Sequence, residues 1–145
     1  MKLAIINGPN LNLLGQRETA VYGSKTFDNF LADLRAHYTN VDLHYFQSNV
    51  EGEIINLLHN CNTDFKGIIL NAGGYTHTSV AIADAVGGIS IPVIEVHISN
   101  IFQRENFRHV SYLGAKCIGS ISGFGLDSYK LAIEQFIQSQ VSQNI

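Results

Sequence analysis

Charge is scarce in this chain: Asp, Glu, Lys and Arg make up 14% of its 145 residues, against about a quarter in an average soluble domain. The apolar share, 46%, is ordinary. So small a solvated surface leads us to expect a homo-oligomer, in which further copies of the chain cover part of it. Nine Lys and Arg, scattered and outnumbered by twelve Asp and Glu, offer no basic footprint, and no nucleic-acid partner is expected. Only two cysteines occur, Cys61 in a helical pattern and Cys117 in an apolar run. Neither has a neighbouring thiol with which to form a metal pair, so both read as buried free thiols. Proline is confined to Pro9 and Pro92, and no repeat, low-complexity tract or linker interrupts the chain, which predicts one domain over residues 1–145. Long apolar runs are missing too. Met1 and Leu3–Ile6 are too few for a signal-peptide core or a membrane span, so a cytoplasmic location without a membrane partner is expected. GxGxxG, a P-loop, HExxH and paired Cys/His spacings are all absent, which leaves nucleotide cofactors and the common zinc frameworks without support.

What is present is an alternation of two periodicities. Apolar runs suited to buried parallel strands stand at Leu3–Ile6, Val41–Phe46, Gly67–Leu70, Pro92–Val96 and Cys117–Ile121, separated by helical patterns. The helices are predicted to begin near Thr26, Ser48, Thr76 and Asp127, whose side-chain oxygens can satisfy free amides at a helix start. Ser48 with Glu51 fits a capping box, and Tyr129, Leu131, Ala132, Phe136 and Ile137 mark the inward side of the last helix. Five βα units predict a doubly wound α/β domain, long enough to remove roughly 68–70% of its unfolded surface from water. Two connections are long for such a fold, 8–25 and 98–116. Loops of that length are usually functional, and the first, with Gly15 and Gly23 as hinges, is expected to act as a lid.

The unusual residues cluster where strands end. Glu95 and His97 are two apart on one strand and share a face, so the carboxylate can fix the imidazole tautomer and raise its pKa, suiting His97 to donate a proton. Ile98, Ser99 and Asn100 follow with main-chain amides and small polar groups that can hold a carboxylate. Tyr22 and Arg17 lie on the expected lid. An ordinary phenol is only about 0.1% ionised at neutral pH, and making it a competent base requires about 4 kcal/mol of preferential stabilisation of the phenolate. A guanidinium in a closed site can supply much of that. Thr76-His77-Thr78-Ser79 is expected at a helix start, with Asn71 just before it. Asp84, seven residues beyond His77 and about 10.5 Å along a shared helix face, is too far to share one small ligand with it and is expected to serve a neighbouring subunit. Arg104 and Arg108 can share a helix face and bind anionic or hydroxyl groups. His77, His97, Glu95 and Asp84 are also acceptable metal ligands, the sharpest rival reading at this point.

Several long motifs then occur in order: Gly8-Pro9-Asn10-Leu11-Asn12-Leu13-Leu14-Gly15 with Arg17 and Tyr22-Gly23, Gln47-Ser48-Asn49 with Glu51-Gly52, Tyr75-Thr76-His77-Thr78-Ser79, Glu95-Val96-His97-Ile98-Ser99-Asn100, and Arg104-Glu105 with Phe107-Arg108. Across essentially its full length the chain resembles type II 3-dehydroquinate dehydratases. The resemblance implies a flavodoxin-like three-layer sandwich with a five-stranded parallel sheet, assembled as a homododecamer of four trimers. It also implies a cofactor-free elimination of water from 3-dehydroquinate. Tyr22 corresponds to the base, Arg17 to the residue that lowers its pKa, and Asn12 to a holder of the enolate. His97 corresponds to the acid, and Glu95 to the residue that orients it. Asn71, Ile98 and Ser99 would hold the substrate carboxylate; His77, Arg108 and Asp84, the last from an adjacent subunit, would take its hydroxyls. The chain departs from the family pattern with Ala72-Gly73-Gly74 in place of Pro-Gly-Ala, and with Thr19 in place of Pro. Both changes are expected to loosen backbone and give a more mobile lid while leaving the proton-transfer groups intact.

Overall fold

The apolar runs form five parallel strands: Lys2–Asn7 (β1), Asp42–Gln47 (β2), Gly67–Asn71 (β3), Val93–His97 (β4) and Gly119–Ser122 (β5). Their order in the sheet is β2-β1-β3-β4-β5, every neighbouring pair parallel. This computed structural model describes residues 1–16, 20 and 24–143; Arg17, Thr19, Tyr22 and Gly23 lie outside the described residues. In β3 and β4 every residue is buried, because helices cover both faces, and this is why they read as unbroken apolar runs. The edges β2 and β5 are half exposed.

Successive side chains on a strand face opposite sides, and the core divides accordingly. Leu3, Ile5, Ile69, Ile94 and Val96 pack under Phe27–His37 (α1) and Asp127–Gln143 (α4), whereas Ala4, Ile6, Ile68, Leu70 and Val93 pack under Glu51–Asp64 (α2) and Val80–Gly88 (α3). The result is the expected flavodoxin-like α/β arrangement, a sheet between two helical layers. Among the described residues no helix is long and apolar enough to cross a membrane.

Several local expectations are corrected. Thr26 does cap α1, its Oγ1 accepting from the Asn29 amide at 3.3 Å, but Ser48 and Glu51 form no capping box. Ser48 Oγ accepts from the Val50 amide and donates to the Glu53 carboxylate instead, because the N-cap of α2 is Val50, two residues further on, and the helix starts at Glu51. Thr76 does not start α3. The chain first makes a 3-10 turn over Gly73–His77, and the cap is Ser79, whose Oγ accepts from the Ile82 amide at 2.9 Å. In α4, Leu131 is 44% exposed and Ile133 is fully buried; counted from Tyr129 at 3.6 residues per turn, 132, 133, 136 and 137 share its side and 131 does not. Cys117 precedes β5 rather than lying in it, its amide bonded to the Leu113 and Gly114 carbonyls. Its thiol is half-buried, Cys61 is buried, and both are free.

Candidate active site

Where the strand order of an open α/β sheet reverses, a crevice opens above the carboxyl ends of the strands. Here the reversal falls between β1 and β3. The crevice is lined by Pro9 and Asn10 after β1, by Asn71 at the end of β3 and His77 beyond it, and by His97 at the end of β4 with Ile98 and Ser99 beyond it; Arg104 and Arg108 close the far side. Its floor is a tight meeting of two turns. The Gly8 amide donates to the Asn71 carbonyl at 2.7 Å, and a Cβ on Gly8 would stand 2.5 Å from the Ala72 carbonyl oxygen. Gly73 has φ +59°, a conformation that costs a side chain energy.

Glu95 and His97 form the wall from β4. His97 Nε2 donates to Glu95 Oε1 at 2.9 Å, with the residues 6% and 1% exposed, so water does not compete for the bond. Ser111 donates to Glu95 Oε1 at 2.6 Å and Ser120 to Oε2 at 2.8 Å. Burial alone would push the Glu95 carboxyl up, but the hydrogen bonds from His97, Ser111 and Ser120 and the electrostatic attraction of His97 outweigh it and hold the group below the usual carboxylate range. An ionised carboxylate only accepts, so the proton of this bond sits on Nε2 and leaves Nδ1 as the other ring nitrogen.

His77 stands beside it, the two imidazoles near parallel at 6.2 Å between centroids. Its Nδ1 donates to the Val110 carbonyl at 2.7 Å, which makes Nε2 of the neutral ring an acceptor. Burial pushes its pKa down, and the charges of His97 and Arg108 add to that against the Val110 bond. His77 therefore stays neutral at pH 7.

The two arginines converge without an α-helix. Glu105 stands at the position before a 3-10 turn over Asn106–His109 without capping it, and its carboxylate lies 2.6 Å from Arg108 Nε and 4.0 Å from Arg104 Nε. The expected shared helix face is thus replaced by a carboxylate between the two guanidinium groups.

Asn71, His77, His97, Ile98, Ser99 and Arg108 line one crevice, with Glu95 behind His97. Asn12 is exposed on the 3-10 turn Leu11–Leu13 and does not line it. Asp84 is exposed on α3 and does not line it either. His77 precedes α3, so the helix-face spacing between it and Asp84 does not apply. Arg17 and Tyr22 lie outside the described residues. Among the described residues no three His, Cys, Asp or Glu side chains are clustered to hold a metal ion.

The sequence model of the family described as Dehydroquinase class II matches residues 1–137. The chain belongs to this family. It is 55% identical over 134 residues to a 3-dehydroquinate dehydratase of Bacillus cereus (strain B4264), covering 91% of this chain and 92% of that one. It is 52% identical over 139 residues to a 3-dehydroquinate dehydratase of Exiguobacterium sp. (strain ATCC BAA-1283 / AT1b), covering 95% of each. The crystal structure of a type II dehydroquinase from Butyrivibrio crossotus DSM 2876 superposes with a TM-score of 0.91 at 42% identity, over 94% of this chain and 97% of that one.

In this member of the family, sequence reasoning missed the residues that hold the crevice residues in place. Ser120 sits opposite Glu95 in the β4–β5 register, and Ser111 arrives from a loop; no spacing in the chain announces either. Tyr129 and Asn7, hydrogen-bonded beneath Asn71, were signalled only by polar groups within apolar patterns.

Proposed function

We propose that the chain is a type II 3-dehydroquinate dehydratase, a hydro-lyase that forms 3-dehydroshikimate by anti elimination through an enolate. The observation that carries this reading is the buried Glu95–His97 pair, hydrogen-bonded at 2.9 Å at the wall of a crevice that also holds Asn71, His77 and Arg108. Tyr22, its pKa lowered by Arg17, removes a proton next to the ketone. The electron pair moves into the enolate, which Asn12 helps to hold through a water. Collapse of the enolate expels the hydroxyl, which takes its proton from His97 and leaves as water. Tyr22 then gives the proton it took to solvent and His97 takes one from solvent, which restores both groups. Asn71 and the Ile98–Ser99 amides hold the carboxylate, and His77 accepts from a hydroxyl through Nε2. Base and acid on opposite sides of the bond suffice for such an elimination, with no metal or cofactor in the scheme.

The working unit on this reading is a homododecamer of trimers, each subunit one catalytic domain over residues 1–145, with Asp84 completing the crevice of a neighbour. Support comes from the surface: Phe102, Phe107, Val110, Tyr112, Ile118 and Phe124 are all exposed within one stretch of the chain, a density of apolar groups that marks an interaction surface. The step belongs to cytoplasmic shikimate-pathway synthesis of aromatic amino acids or to quinate breakdown.

The test mixes chelator-treated protein with 3-dehydroquinate and follows the ultraviolet absorbance of the conjugated product. Turnover that survives chelation and collapses in Tyr22→Phe is expected. A well-folded protein without turnover would overturn the reading.

A further inference from the structure

Tyr129 projects from the inward side of α4 and has no exposed surface. Its ring meets Phe27 and Phe30 edge-on, at centroid distances of 5.1 and 6.0 Å, a packing role that phenylalanine would fill as well. The hydroxyl is what needs explaining, since a buried O–H requires partners. It has two, both at strand ends under the crevice. Asn71 Nδ2 donates to it at 2.9 Å, and it donates to Asn7 Oδ1 at 2.7 Å. A hydroxyl owns one proton. With that proton committed to Asn7, a lone pair is left facing Asn71, and only an N–H can answer it.

The other side of the Asn71 amide agrees. Its Oδ1 accepts from the Gly73 amide at 3.2 Å, so both neighbours demand the same orientation. Tyr129 takes one of the two N–H groups of Nδ2, and the second is the donor this crevice-lining residue has left. We propose that Tyr129 is a positioning residue, whose hydroxyl locks the Asn71 amide so that an N–H, and not the carbonyl oxygen, is presented to the substrate carboxylate. This rests on the reading of Asn71 as a carboxylate holder. Without the hydroxyl the amide can turn over and place an oxygen against an anion. Burial pushes the Tyr129 phenol up, which keeps it a neutral hydroxyl able to accept and donate at once.

Tyr129→Phe tests this with the ring packing retained. Its KM for 3-dehydroquinate should rise about tenfold, the scale of one net hydrogen bond to a charged group, with kcat within about threefold of the parent. Asn71→Ala should show a similar rise, and the double variant no further rise, because the hydroxyl acts only through Asn71. Asn7→Ala leaves ring and hydroxyl in place but frees the proton, and should give a smaller rise. A readout independent of turnover is hydrogen exchange of the Asn71 side-chain amide, slow in the parent and faster in Tyr129→Phe. Unchanged KM in Tyr129→Phe beside a raised KM in Asn71→Ala would overturn the proposal, as would losses that multiply in the double variant. If the parent does not turn over 3-dehydroquinate, the functional reading fails and amide exchange alone decides the positioning.

Discussion

Replacing Glu95 by glutamine separates the charge of this residue from its hydrogen bonds. The carboxylate accepts from His97 and Ser111 at Oε1 and from Ser120 at Oε2. A glutamine with its oxygen at the Oε1 position keeps the first two, and the exposed Ser120 hydroxyl can rotate to accept from the new amide. Packing and pairing are thus preserved while the negative charge is lost. With charge centres about 4 Å apart and an effective dielectric constant of about 20, that charge favours a positive ring by about 4 kcal/mol at most. The retained hydrogen bond returns part of this, leaving about 2–3 kcal/mol, or about a hundredfold, on a step in which His97 must carry and release a proton. The expected result for Glu95→Gln is a kcat about 100-fold lower, KM within about threefold, and an unfolding midpoint within about 5 °C of the parent. The assays are steady-state dehydration of 3-dehydroquinate and thermal unfolding. A folded variant with kcat within about threefold of the parent would refute the assignment of the charge to catalysis. The same carboxyl has a stability signature. Held below its ordinary 4.5 by its hydrogen bonds, it contributes stability that is fully present above that value and is lost as pH falls through its folded-state pKa. Glu95→Gln should flatten that acid limb.

Four further substitutions have expected outcomes. Gly73→Ala should destabilise by about 1–2 kcal/mol in denaturant melts, since its φ is +59° and the Pro9 carbonyl would lie 3.1 Å from the new Cβ; Gly74→Ala, with open space at its Cβ, should stabilise by about 0.4–1 kcal/mol. His77, whose pKa is pushed below 6.5 by burial, should keep Nε2 available from alkaline pH down to that value, so KM rises only below it; in His77→Asn that rise should vanish, and its persistence would move the titration to another group. Asp84→Asn should raise KM about 5–10-fold in the assembled particle, and a mildly dissociated but folded subunit should show the same rise with no further effect of the substitution.

The sheet could be read from the chain because its central strands are covered on both faces, which leaves no polar alternation to mislead. Errors gathered where one backbone bond decides the outcome. Cys117 looks like strand until its amide is seen to turn back to Leu113 and Gly114. Thr76 looks like a cap until the chain makes a 3-10 turn at Gly73–His77 and passes the role to Ser79. Glu95 and His97 were readable as a pair because period two is a local property of a strand. Ser120 was not, because it reaches Glu95 through the register of two strands whose sequences do not encode their pairing. Arg104 and Arg108 do lie together, but through the carboxylate of Glu105 beside a short 3-10 turn and not through an α-helical face.

The alternation of side chains at the strand ends also divides the crevice between the two cores. Asn7 and Asn71 fall in phase with Leu3, Ile5 and Ile69, and their hydrogen bonds run to Tyr129 in the layer of α1 and α4. Glu95 falls in phase with Val93, on the side of Leu113, α2 and α3, and draws its support from Ser111 there and from Ser120 on β5. The group read as holding the substrate carboxylate and the group read as delivering the proton therefore hang from opposite faces of one sheet. Asn71 is oriented by the Tyr129 hydroxyl, and His97 by the Glu95 carboxylate, itself held by the Ser111 and Ser120 hydroxyls; none of these supports lines the crevice. Binding and proton transfer can then be perturbed separately from behind, and a change in α4 packing that reaches Tyr129 should register in KM before it registers in kcat.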